Sequence, residues 1–76
     1  MTKRFIKLDQ VKQMTSLSRA AIYKRIAHGA FPAQVKLGAT SVWLESEIEG
    51  WIQRKVDERD QSLARSLGSF IHGPSK

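Results

Sequence analysis

Ser18-Arg19-Ala20-Ala21-Ile22-Tyr23-Lys24-Arg25-Ile26-Ala27-His28-Gly29 is the stretch on which the fold turns. Ser18 has the chemistry of an N-cap, and Gly29 is the usual stop one residue past a C-terminus, so a helix is predicted over residues 19–28. Ile22 and Ile26 stand one turn apart and are expected to face inward. Arg19, Ala20, Tyr23, Lys24 and Ala27 then lie towards the other side. That set combines cations, a phenolic hydroxyl and small residues. It reads either as the solvated face of an ordinary amphipathic helix or as a face that enters a DNA major groove without obstruction.

Working outward, Asp9 is a candidate cap for a first helix starting near Gln10, with Val11 and Met14 on one face and Leu8 preceding them. Thr15-Ser16-Leu17 interrupts that helix, and Leu17 is expected to bury in the turn. Two short helices at this separation have the spacing of a helix-turn-helix. Upstream, Phe5-Ile6-Lys7-Leu8 is either a tethering strand or the apolar lead-in to the first helix.

Downstream, Pro32 discourages further helix and Phe31 is expected to plug the core. Gln34-Val35-Lys36-Leu37 and Thr40-Ser41-Val42-Trp43-Leu44 read as a small antiparallel hairpin around Gly38-Ala39. Its tip, with Thr40 and Ser41, either donates to a phosphate or is an inert turn. Glu45 or Ser46 opens a third helix with acidic residues in its first turn. Ile48, Ile52 and Val56 recur on one face, widened by Trp51, so Trp43 and Trp51 are core residues first. Glu45, Glu47 and Glu49 spread around that helix as a solvated face and do not converge as an acid–base pair. After Arg59 the pattern decays. Residues 1–59 are therefore expected to form one domain, mainly α with a small β-hairpin beside a helix-turn-helix. Residues 60–76 are expected to form a partly helical or flexible tail, with Phe70-Ile71 a potential tether to a second copy.

Lys+Arg 13 against Asp+Glu 7 gives a formal net charge of +6 over 76 residues. The excess is local. Residues 1–38 hold Lys3, Arg4, Lys7, Lys12, Arg19, Lys24, Arg25 and Lys36 against Asp9 alone, a net of +7, and residues 39–76 carry −1. A basic half of this kind is an electrostatic footprint for a polyanion.

Composition also excludes. At this length the chain is one small domain with a marginal core. The absence of cysteine removes disulfides, thiolate metal sites and thiol nucleophiles. His28 and His72 stand 44 positions apart, so no metal site is expected. Ser16, Ser18 and Ser41 have no base to activate them, and nucleotide-binding glycine patterns are missing, so neither a cofactor nor enzyme chemistry is expected. No apolar run approaches the about 18 residues of a membrane span, and the N-terminus lacks a signal-peptide core, so a cytoplasmic location is expected.

Leu8 to Met14, the run from Leu17 to Ile26, Gly29-Ala30-Phe31-Pro32, Val35-Lys36-Leu37-Gly38 and the run from Val42 to Ile52 together make the chain resemble the AlpA family. These are small regulators of prophages and genomic islands, related to excisionases and to the helix-turn-helix part of MerR-type winged domains. The likeness covers about residues 5–57. It implies a winged helix-turn-helix DNA-binding domain over residues 1–59, with a DNA-binding helix at Ser18–His28 and a wing at about Leu37–Val42, Trp43 and Trp51 supporting the core. Family members often carry a cation near the wing tip, whereas Ala39-Thr40-Ser41 has none, which shifts expected affinity to the helix and Lys36. The expected DNA-binding residues are thus Ser18, Arg19, Ala20, Tyr23, Lys24, Arg25, Lys36, Thr40 and Ser41. Arg19, Tyr23 and Lys24 approach bases or phosphates, Arg25 contacts backbone or stays solvated, and Lys3, Arg4 and Lys7 add contacts from the N-terminal arm. The partners implied are double-stranded DNA, a second copy on DNA, and an integrase or RNA polymerase. Two roles follow, a transcriptional regulator or an architectural excisionase that biases an integrase. A protein adaptor using Phe70-Ile71 or the acidic helix is the reading without DNA.

Overall fold

The computed structural model describes residues 3–68. The elements run β1 (Phe5–Lys7), α1 (Leu8–Thr15), α2 (Arg19–Ala27), β2 (Val35–Leu37), β3 (Thr40–Leu44) and α3 (Glu45–Gly68). Phe5-Ile6-Lys7 is thus a true strand. It pairs antiparallel with β3, Ile6 opposite Trp43, while β2 pairs with the other edge of β3, giving the order β1-β3-β2. Instead of a lone hairpin there is a three-stranded antiparallel sheet under three helices. This mixed fold is consistent with a winged-helix type of domain.

Asp9 does not cap α1. The helix begins at Leu8, directly after Lys7, whose extended backbone takes the N-cap position without a side-chain bond, and Asp9 lies inside the first turn. The reason is tertiary. Lys7 is held opposite Val42 in the sheet, so the chain leaves the strand and enters the helix with no residue to spare. From the first turn the Asp9 carboxylate still interacts favourably with the helix dipole.

Between α1 and α2 the turn is built from side chains that satisfy the backbone. Thr15 Oγ1 donates to the Val11 carbonyl at 2.8 Å and accepts from Leu17 N–H at 3.3 Å. Ser16 is left-handed, φ 62°, and its N–H closes on the Lys12 carbonyl. A non-glycine residue there is strained by about 1 kcal/mol. Ser16→Gly is therefore expected to raise stability slightly, by up to about 1 kcal/mol, in a urea melt; a lower midpoint would contradict the assignment.

Ser18 caps α2 as expected, its Oγ accepting from Ala21 N–H at 3.1 Å. Ser18→Ala should cost about 1 kcal/mol of stability in the same melt, and an unchanged midpoint would show the cap to be idle. Gly29, φ 70°, ends the helix: its N–H reaches the Ile26 carbonyl while Ala30 N–H reaches Arg25, the paired bonds of a Schellman motif. At the hairpin tip Gly38, φ 64°, supplies the positive φ that a two-residue type II′ turn needs at its first position.

Ile6, Val11, Ile22, Phe31, Trp43, Ile48 and Trp51 form the core, with Leu8, Met14, Leu17, Tyr23, Ile26 and Ile52 packed around it. Both tryptophans are buried as expected. Their indole N–H groups hold one turn: Trp43 donates to the Pro32 carbonyl at 3.1 Å and Trp51 to Ala30 at 2.9 Å. Phe31, between them in sequence, meets the Trp51 ring edge-on, centroids 4.8 Å apart. Ile26 is only half-buried, so Ile22, fully buried, anchors α2.

α3 runs past Arg59 to Gly68, longer than its apolar pattern indicates. Beyond Val56 it leaves the core, and Leu63 and Leu67 are exposed on it. Local pairs support the helix as the core contact ends, Gln53 with Asp57 and Lys55 with Glu58. Phe70-Ile71 and His72 lie outside the described residues. No helix among the described residues is long and apolar enough to cross a membrane.

Candidate nucleic-acid interface

α2 carries no acidic residue. Its angular order follows from a helix of 3.6 residues per turn with Ile22 at the centre of the buried side. Ala20, Lys24 and Ala27 occupy the opposite side and are exposed. Two flanks border this strip. On one, Arg19 lies with its guanidinium carbon 5.5 Å from the centre of the Tyr23 ring, and Tyr23 meets Trp43 edge-on at 6.2 Å. On the other, Arg25 reaches over Trp51, 5.9 Å from the ring centroid.

Tyr23 and Arg25 are therefore not fully outward residues; each is half-buried against one of the two core tryptophans. The consequence is order. Tyr23 keeps its hydroxyl at the rim while its ring is fixed by Trp43, and Arg25 lies along an aromatic surface. Ser18 is exposed at the helix entrance with its hydroxyl engaged by the cap.

On the hairpin, Lys36 stands opposite Ser41, and its Nζ lies 3.4 Å from the Ser41 hydroxyl. Ser41 is two residues before Trp43 on β3, so this pair shares the sheet face that Trp43 turns towards α2. Thr40 projects from the opposite face and is exposed. That opposite face is apolar: Val35, Leu37 and Phe5 are all partly exposed there. At the chain's start Arg4 is engaged, its Nε 2.9 Å from Glu45 Oε1, while Glu45 N–H bonds the Arg4 carbonyl. Of the N-terminal arm, Lys3 and Lys7 remain exposed without ion pairs among the described residues.

His28, the last residue of the implied DNA-binding helix, is set aside as a site residue on sequence grounds because a C-cap or dipole role explains it. His28 follows α2, and its Nδ1 lies 2.8 Å from the Lys24 carbonyl. A carbonyl only accepts, so Nδ1 carries the hydrogen, and the residue is exposed. The spacing of four residues from Lys24 was the available signal. Among the described residues no group of His, Cys, Asp or Glu is arranged to hold a metal ion.

A small mixed domain with an acid-free, partly aromatic-braced helix exposed beside a hairpin is consistent with a winged-helix type of domain. The family is given by comparison. Residues 4–56 match the family described as prophage CP4-57 regulatory protein (AlpA), and the chain belongs to that family, which is regulatory and non-catalytic. It is also 40% identical over 58 residues to the uncharacterized protein ORF88 of Enterobacteria phage P4, a span covering 75% of this chain and 66% of that relative. No solved structure matches it significantly.

Proposed function

We propose that the chain is a sequence-specific double-stranded DNA-binding regulator of prophage or genomic-island type, with α1 and α2 acting as a helix-turn-helix and α2 entering the major groove. The observation that carries this reading is the exposed strip of α2, in which Lys24 lies between Ala20 and Ala27 with no carboxylate on the helix. Small residues let the helix approach the base edges, and a single central cation reaches them. Arg19 and Tyr23 work from the flank towards the hairpin, on bases or adjoining phosphates, and Arg25 contacts backbone. Lys36 and Ser41, on the sheet face towards α2, contribute backbone contacts at the base of the wing. Ser18 donates its backbone N–H and Thr40 its hydroxyl.

A module this small covers little DNA, so a second copy on an adjacent site is part of the proposal. Exposed Leu63 and Leu67, one turn apart on the free end of α3, are compatible with such a neighbour. Integrase or RNA polymerase is the protein partner this reading proposes.

Footprinting of DNA from the chain's own locus tests it. The expected result is salt-sensitive protection of a defined duplex site. Protection at one operator supports control of transcription, whereas several phased sites with bending support the excisionase role. Equal, weak binding to every duplex would reject a sequence-reading helix.

A further inference from the structure

The cations that α2 turns towards α3 do not end with α2. Two shallow hollows meet at Ala30. One, about 440 Å³, is bordered by Lys24, Arg25 and His28. The other, about 410 Å³, continues past Gly29 to Arg54 and Lys55 on α3. Together they place four permanent cations and an imidazole along one path, against a single carboxylate, Glu58.

Three features suit this path to a chain of phosphates. Its cations are held in position and most keep their charge uncompensated: Arg25 and Lys55 both lie on Trp51, at 5.9 and 5.6 Å from its centroid, and Arg25 and Arg54 have no ion pair among the described residues, whereas Lys55 is paired with Glu58 at 3.2 Å. Less side-chain freedom then remains to be lost on binding. Its floor is low, since Ala21, Gly29 and Ala30 carry little or no side chain.

The third feature concerns acceptors that would repel an anion at a helix C-terminus. Here several of them are occupied. The Lys24 carbonyl accepts from His28, the Arg25 carbonyl from Ala30 N–H, the Ile26 carbonyl from Gly29 N–H, and the Ala30 carbonyl from the Trp51 indole. The Schellman turn and Trp51 thus remove much of the negative end of α2 from the path.

We infer that Arg25, His28, Arg54 and Lys55 form a second binding site, a track for the sugar–phosphate backbone of one strand of the duplex that α2 reads. This rests on the DNA-binding reading above and extends it from the hairpin side of α2 to the α3 side. Of the acidic first turn of α3, Glu45 is spent on Arg4, and Glu47 borders a different hollow, which Arg54 also lines. Contacts on this track carry no base information, so it contributes affinity and register, and α2 contributes sequence.

The test compares wild type, Arg54→Ala/Lys55→Ala, Glu58→Gln and Lys24→Ala on the footprinted duplex and on a scrambled duplex across salt concentrations. The double variant is expected to bind both duplexes about tenfold or more weakly, with the salt slope shallower by roughly 1.8 and the ratio between duplexes unchanged. Glu58→Gln, which removes the one carboxylate, is expected to bind both more tightly. If the double variant keeps the wild-type slope while Lys24→Ala loses affinity, the track is wrong and the reading of α2 stands. If wild type and Lys24→Ala bind alike, the reading of α2 itself fails. Circular dichroism of each variant checks folding, and a double variant that loses its helical signal is replaced by Arg54→Gln/Lys55→Gln, for which the same slope change is required.

Discussion

Replacing Trp43 with Ala is expected to remove a large part of the chain's stability. A domain of this size has a total stability of about 4–11 kcal/mol, and truncating a buried tryptophan costs about 3–5 kcal/mol. Trp43 is at the costly end because it is wholly buried and lies on the central strand. Its loss also strips the edge contact from Tyr23 and orphans the Pro32 carbonyl. Trp43→Phe keeps most of the ring but not the indole hydrogen bond and should lose less. Urea denaturation followed by circular dichroism checks both, and a Trp43→Ala midpoint within error of wild type would overturn the packing described for the core.

Removing the Lys24 side chain is expected to have the opposite profile, an intact fold with impaired DNA binding. Lys24 is exposed, makes no side-chain contact among the described hydrogen bonds and ion pairs, and sits where Ala is an excellent helix former. Its loss should cost about 1–3 kcal/mol of operator binding if it reaches a base edge, or reduce the salt slope by about 1 if it reaches a phosphate. Fluorescence anisotropy on operator and scrambled duplexes separates the two outcomes, since only a base contact changes the ratio. A Lys24→Ala protein that binds both like wild type would place the reading face elsewhere.

What could be read from residues alone follows a physical division. The Ser18 cap, the Gly29 stop, the Gly38 turn and the burial of Ile22, Trp43 and Trp51 depend on local chemistry or on helical and strand periodicity, and they were legible. The start of α1 was not, because Lys7 rather than Asp9 becomes the cap position only when β1 pairs with β3 far along the chain. Partial burial of Tyr23 and Arg25 depends in the same way on rings supplied by β3 and α3. α3 outruns its apolar stripe because short-range side-chain pairs and helix propensity carry it beyond the core. The cations of α3 were hidden for a different reason. A net of −1 over residues 39–76 averages the acidic first turn with Arg54 and Lys55, two turns later, which the fold brings beside the end of α2.

The most direct measurement is the backbone amide spectrum of the protein titrated with a duplex containing its footprinted site. Shifts concentrated on residues 19–28, with smaller ones at Lys36 and Ser41 and little change at Glu47 and Glu49, are the result expected of a recognition helix at α2. Amides of residues 19–28 that stay in place while the protein binds the duplex would contradict it.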